Sequence, residues 1–168
     1  MADALFEKVA FIGIGLIGSS MARRMSADGL VTTIVGCARS EETRDKAVAL
    51  GVVSEAFEDS ADAVDGADLV VIATPIGSYG AIAKAIAPAL KPGAIVTDVG
   101  SVKQAVVDAV APHLNTENAF VPGHPIAGTE DSGPESGFPE LFDGRWTILT
   151  PTDETDAAAV EKVKTLWQ

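Results

Sequence analysis

The sequence predicts an α/β fold, a doubly wound, mostly parallel sheet with helices on both faces. Three observations predict it. Short apolar or β-branched runs alternate with longer stretches of helical period. Leu69-Val70-Val71-Ile72-Ala73 carries no polar residue, as befits a strand buried on both faces of a sheet. Gly13, Gly15 and Gly18 fall between the first apolar run and the first helical segment.

Lys8 to Ile12 reads as a buried strand entering that glycine loop. Leu16 to Asp28 reads as a helix stopped by Gly29. Thr32 to Cys37 is a β-branched strand. A polar helix over Glu41 to Leu50 follows, with Gly51 as its stop. Val52 to Phe57 reads as a short strand and Leu69 to Ala73 as the central one. A helix over Ser78 to Leu90 ends at the Lys91-Pro92-Gly93 turn. Ala94 to Asp98 is the next strand. Ser101-Val102-Lys103-Gln104 has the spacing of a capping box opening a helix that runs to His113. Ala119 to Val121 and Thr147 to Leu149 are later strands, separated by a loop rich in Gly, Pro and Ser. In the tail, Val160, Val163 and Trp167 recur at helical spacing with no terminal cap.

Strands joined by helices give parallel pairing through right-handed crossovers, so all strand ends open on one edge. Gly13, Ala38, Thr74, Ser101 and the loop at His124 are expected to share that edge, where open α/β sheets bind ligands.

The 168 residues suit one compact domain with a real core. The net charge of −12 opposes nucleic acid and anionic membrane as partners. No apolar run reaches the roughly 20 residues of a membrane span, and Met1 to Lys8 does not read as an export signal. A single cysteine, Cys37, allows no internal disulfide and fits a reducing cytoplasm. It reads as a small strand-end residue.

Gly13-Ile14-Gly15-Leu16-Ile17-Gly18 fits G-x-G-x-x-G between a strand and a helix, the context of a Rossmann-type dinucleotide site. Gly13 permits the tight turn, Gly15 lets a pyrophosphate approach, and Gly18 lets the helix pack close. The free N–H groups at Leu16 and Ile17 then face the phosphates. NAD-selective sites end their second strand with an acid that bonds the ribose 2′-hydroxyl. Here Ala38 stands there, followed by Arg39 and Ser40, a cation and a hydroxyl suited to a 2′-phosphate. The balance tilts toward NADP, with NAD the alternative. Residues 1–150 are therefore read as a dinucleotide-binding domain. Residues 151–168 are read as the start of a helix leading to a C-terminal helical domain that this chain lacks.

Of two histidines, His113 near a helix end reads as structural. His124 lies after a strand on the ligand edge, in a loop stiffened by Gly123 and Pro125. An imidazole there can take a proton near neutral pH, as alcohol oxidation by hydride transfer requires. Ser101 caps its helix, donates to a substrate, or does both. Asp98 and Lys103 either pair or face solvent, and Glu130 reads as a solvated loop acid. No metal-ligand cluster and no GKS or GKT phosphate loop occurs.

The glycine loop, Thr74-Pro75, Asp98-Val99-Gly100-Ser101-Val102-Lys103, Gly123-His124-Pro125-Ile126-Ala127-Gly128-Thr129-Glu130 and Leu141-Phe142…Ile148-Leu149-Thr150-Pro151 occur in one order. Together they resemble the prephenate/arogenate (cyclohexadienyl) dehydrogenase family of tyrosine biosynthesis. The resemblance implies oxidative decarboxylation of a small cyclohexadienol with NAD(P). In it, His124 accepts the substrate hydroxyl proton, Ser101 orients the hydroxyl, and Thr74 and Pro75 join the coenzyme site. It also implies a homodimer formed through the helical domain. Two readings compete. One is a β-hydroxyacid dehydrogenase or imine reductase, and the other is a non-catalytic NAD(P)-sensing module.

Overall fold

The computed structural model describes residues 3–168. Six strands form one sheet: β1 (Phe6–Ile12), β2 (Val31–Cys37), β3 (Glu55–Phe57), β4 (Leu69–Ile72), β5 (Ile95–Asp98) and β6 (Ala119–Val121). Their order is β3-β2-β1-β4-β5-β6, and every pairing is parallel. Parallel neighbours need crossovers. These are α1 (Leu16–Ala27), α2 (Glu41–Ala49), α3 (Ser60–Val64), α4 (Tyr79–Ile86) and α5 (Lys103–Val110). A last helix, α6 (Ala157–Trp167), follows a two-stranded antiparallel ribbon of β7 (Gly123–Pro125) and β8 (Thr147–Leu149).

The period of two in the strands divides the core. Val9, Phe11, Leu69 and Val71 face α1, α2 and α6, meeting Met21, Met25, Ala47, Val163 and Leu166. Ala10, Ile12, Val70 and Ile72 face α3, α4 and α5, meeting Val64, Ala83, Ile86, Val106 and Val110. With helices on both faces, the predicted doubly wound α/β sheet is what the chain forms. The strand order reverses between β1 and β4, which opens a crevice at their C-terminal ends. No described helix is long and apolar enough to cross a membrane.

Several elements differ from expectation. Only Glu55–Phe57 of the predicted Val52–Phe57 strand pairs. The amides of Val52 and Val53 donate to the Ala47 carbonyl at 3.0 and 3.4 Å, and their side chains finish the core beside α2. The segment Ser60–Val64, read as no element, is a short helix whose first turn is held by the Asp59 carboxylate, an acceptor from the Ala61 amide at 2.8 Å. The predicted Ser78–Leu90 helix is α-helical only over Tyr79–Ile86 and tightens to a 3-10 turn at Ala87–Ala89, where Pro88 lacks an N–H. Pro112 does the same beyond α5, which ends at Val110.

The capping box is not formed. The N-cap of α5 is Val102, no side chain caps it, and Ser101 is exposed. Nor is His124 in a loop. It lies in β7, and β8 joins that ribbon instead of the parallel sheet.

The tail helix is capped at its start by Asp156, which accepts from the Ala159 amide at 3.0 Å. Val163 and Leu166 are buried against the sheet. The Trp167 ring meets Phe142 edge-on, with centroids 5.2 Å apart. The exposed tryptophan is Trp146.

Candidate active site

The glycine loop is built as its spacing requires. Gly13 has φ +99°, and a Cβ there would stand 2.6 Å from the Ala73 carbonyl oxygen at the end of β4. A Cβ on Gly18 would press on the loop from below, so α1 can seat only with glycine at that position. A Cβ on Gly15 would meet nothing within 4 Å. Gly15 is also the N-cap of α1 and offers no side chain to it. The helix ladder starts with the Ser19 amide bonded to the Gly15 carbonyl at 2.9 Å. The amides of Leu16, Ile17 and Gly18 therefore have no partner within the helix and carry its positive dipole end.

Gly13, Gly15, Ala38, Arg39, Thr74 and Pro75 line one cleft of about 860 Å³, large enough for a dinucleotide. An open cradle over Gly15, an uncapped helix N-terminus and a cleft reaching to Arg39 fit the predicted coenzyme. Leu16 and Gly18 do not line the cleft. Leu16 is buried at the head of α1, and Gly18 packs beneath the loop.

Ser40 is occupied differently from the expectation. Its hydroxyl oxygen accepts from the Thr43 amide at 3.3 Å and so caps α2, leaving its proton free to donate. Two neighbours went unread in the sequence. Arg44 Nη1 donates to the carbonyls of Ala38 at 2.8 Å and Arg39 at 2.7 Å, fixing the strand end. Glu58, just beyond β3, lines the same cleft, with its exposed carboxylate 3.9 Å from Arg44 Nη2. As residues on a polar helix and after a three-residue strand, neither had a periodic signal. Cys37 Sγ lies 3.4 Å from the Glu58 carbonyl oxygen, and burial pushes its thiol up to about 11.

A second cavity of about 350 Å³ adjoins the first through Ala73, Thr74 and Pro75, which line both. Ile17, Ser101 and His124 are on its other walls. The wall is firm. The Ala73 amide donates to Ile12 at 2.7 Å, and Ser78 Oγ lies 2.9 Å from Thr74 Oγ1 and 2.7 Å from the Pro75 carbonyl oxygen. Tyr79 is wholly buried behind it. Its hydroxyl donates to the Ile72 carbonyl at 3.1 Å, and burial raises the phenol well above its ordinary range.

His124 is half-buried and pairs across the ribbon with Ile148. The structure thus brings together His124, Ser101, Thr74, Pro75 and Ile17 around one cavity. It leaves His113 far along the chain, exposed in the turn after α5. Asp98 and Lys103 pair at 2.5 Å below the site. Glu130 is an exposed loop acid. Among the described residues, no group of three or more His, Cys, Asp or Glu is placed to hold a metal. The site can hold a dinucleotide in one compartment and a small molecule in the next, with an imidazole and a hydroxyl facing the latter.

The family model for the nucleotide-binding domain of prephenate dehydrogenase matches residues 21–168. Cyclohexadienyl dehydrogenase of Zymomonas mobilis is 42% identical over 164 residues, covering 98% of this chain and 56% of that protein. Prephenate dehydrogenase of Bacillus subtilis is 35% identical, over 95% of this chain and 43% of that one. The chain spans about half the length of the curated relatives it matches. Among solved structures, prephenate dehydrogenase of Aquifex aeolicus, in complex with hydroxyphenyl propionate and NAD+, superposes with a TM-score of 0.88. It shares 36% identity over 96% of this chain and 56% of its own. Arogenate dehydrogenase of Synechocystis gives a TM-score of 0.86 at 33% identity, over 95% of this chain and 55% of that one. The chain belongs to the prephenate dehydrogenase family, whose nucleotide-binding domain it forms.

Proposed function

We propose that this chain is the coenzyme-holding half of an enzyme that oxidises and decarboxylates prephenate and/or arogenate with NAD(P). One observation carries the reading. A dinucleotide-sized cleft and a small cavity bearing Ser101 and His124 share the wall Ala73-Thr74-Pro75.

Gly15 and the amides of Leu16 and Ile17 at the start of α1 take the coenzyme's pyrophosphate, while Gly13, whose amide donates to the Cys37 carbonyl at 2.9 Å, and Gly18 beneath it shape the loop. Ala38, Arg39 and Ser40 hold its adenosine ribose, while Thr74 and Pro75 support its nicotinamide end. When bound, the coenzyme supplies a hydride acceptor beside the shared wall. His124 accepts the proton of the substrate hydroxyl, and Ser101 orients that hydroxyl by hydrogen bond. The carbinol carbon gives up its hydride. The ring carboxylate leaves as CO₂, and its bonding electron pair stays with the ring, which becomes aromatic. The aromaticity gained drives the reaction, so one base and good positioning suffice.

Arg39 and the free Ser40 proton favour NADP over NAD at the 2′ position. Residues 1–150 make the dinucleotide-binding domain. Residues 151–168 carry α6, which packs on this domain's sheet through Val163 and Leu166 and leads on to a second domain, through which the protein pairs as a homodimer. The single buried cysteine fits a reducing compartment, and we assign the protein to the cytoplasm. The test is turnover of prephenate and arogenate, each with NAD and NADP, in protein of the relatives' full length. Turnover of neither substrate, with coenzyme bound, would overturn the reading.

A further inference from the structure

We propose that the buried Asp98–Lys103 pair is a positioning brace that sets Ser101 and His124 against each other across the smaller cavity. The proposal rests on the reading above in taking those two residues as the ones that need placing.

Asp98 ends β5 and is wholly buried. Its Oδ2 accepts from the Gly100 amide at 2.8 Å and from Lys103 Nζ at 2.5 Å. Its Oδ1 accepts from the Gly123 amide at 3.0 Å. Lys103 Nζ donates in addition to the Gly123 carbonyl at 2.6 Å. The pair therefore grips the residue immediately before Ser101 and both peptide groups of the residue immediately before His124. Neither Asp98 nor Lys103 lines the cavity.

The glycines at the two gripped positions make the grip possible. A Cβ on Gly100 would stand 3.0 Å from Asp98 Oδ2, and one on Gly123 would stand 2.9 Å from the Asp98 carbonyl oxygen. Larger residues would push both segments off the carboxylate. The anchors are rigid, because Asp98 ends a central strand and Lys103 opens α5.

The energetics point to placement more than to stability. Burial holds the Lys103 ammonium below the usual lysine range, and the attraction of Asp98 offsets this only in part. A buried ion pair is a weak source of net stability. What this pair supplies is three directed bonds converging on Gly100 and Gly123, held together by the bond within the pair.

The test uses the 168-residue protein, with backbone ¹⁵N relaxation and imidazole titration by NMR. His113 is the internal reference, since the chain has two histidines. The first variant, Asp98→Asn/Lys103→Met, removes both charges and so leaves no unpaired one buried. The second, Lys103→Gln, keeps the carboxylate and a weaker donor. If the first variant does not fold, the same readings on the second decide.

The brace predicts that order parameters at the Ser101 and His124 amides fall from about 0.85 toward 0.6. Those of β1 and β4 stay rigid, and the His124 titration moves relative to that of His113. NAD+ affinity stays within about threefold, because neither residue lines the coenzyme cleft. Unchanged order and titration at His124 in a folded variant would overturn the brace, as would loosening spread evenly over the domain. Failure of the parent protein to bind NAD+ would instead count against the proposed function, and the relaxation result would still decide the brace.

Discussion

Gly18 lies directly beneath Gly13, so close that a Cβ at position 18 would stand 2.5 Å from the Gly13 carbonyl oxygen. That atom is backbone and cannot swing aside. Gly18→Ala should therefore displace the loop and destabilise the fold by about 1–3 kcal/mol, the usual range for overpacking. Gly15→Val should melt like the parent, because space there is open, yet lose coenzyme binding as its branches enter the pyrophosphate cradle. Melting curves and calorimetric titration with NAD+ and NADP check the pair. Undiminished affinity in folded Gly15→Val would refute the cradle.

Arg39→Gln should weaken NADP more than NAD. A charge-assisted contact to a 2′-phosphate contributes roughly 1.5–3 kcal/mol, about ten- to a hundredfold in affinity. Equal losses for both coenzymes would place Arg39 against the pyrophosphate or in the fold. Glu58→Gln is the companion measurement, since its carboxylate shares the cleft and should disfavour the extra phosphate.

In full-length protein, His124→Asn should lower turnover by about 10²–10⁴ while sparing coenzyme affinity. Asparagine keeps a hydrogen bond but takes no proton. The acidic limb of the pH–rate profile should go with it. Near-normal turnover with that limb intact would remove His124 from proton transfer.

Asp68 lies at the opposite end of the sheet from the site and accepts from the amides of Glu7 at 2.8 Å and Lys8 at 2.9 Å, and from Lys91 Nζ. Burial works to raise its pKa, but these donors outweigh it and hold the carboxyl below its ordinary value. A depressed folded pKa means stability that is present above the unfolded value, about 3.9, and lost as pH falls through the folded one. Asp68→Asn should therefore lower the melting temperature at pH 7. The gap to the parent should narrow below about pH 4. A gap independent of pH would show that the carboxylate charge is not what matters.

Cys37 should be inert to a thiol reagent at pH 8 in the folded protein, because burial pushes its thiol up to about 11. Unfolding in guanidinium should release one fast-reacting thiol. Rapid labelling of the native protein would show the strand end opening on its own.

The sheet and the turn of the glycine loop are legible because their signals are local. Val9 to Ile12 and Leu69 to Ile72 are unbroken apolar runs, and each glycine of the loop answers one steric demand. His124 was legible as a residue but not in its setting. β7 is three residues containing a glycine and a proline, too short to show alternation, and its partner β8 lies beyond the whole 126–146 segment. The Ser101 capping spacing misled because the Asp98 carboxylate takes the Gly100 amide and draws Ser101 outside the helix. Arg44 looks like any cation on a polar helix until the chain folds back to bring the Ala38 and Arg39 carbonyls within its reach.

His124 rides on the β7–β8 ribbon, whereas the coenzyme cleft belongs to the parallel sheet. The two scaffolds meet at Pro122, through the Asp98–Lys103 pair and where Leu149 packs on the core, while their hydrogen-bond ladders stay separate. Outside the shared wall Ala73-Thr74-Pro75, the cleft and the smaller cavity can thus vary as separate traits. Substitutions at Pro125 or Ala127, which line the smaller cavity beside His124, can reshape it without touching the loop at Gly15. A lineage can therefore reshape the smaller cavity while keeping the dinucleotide-sized cleft.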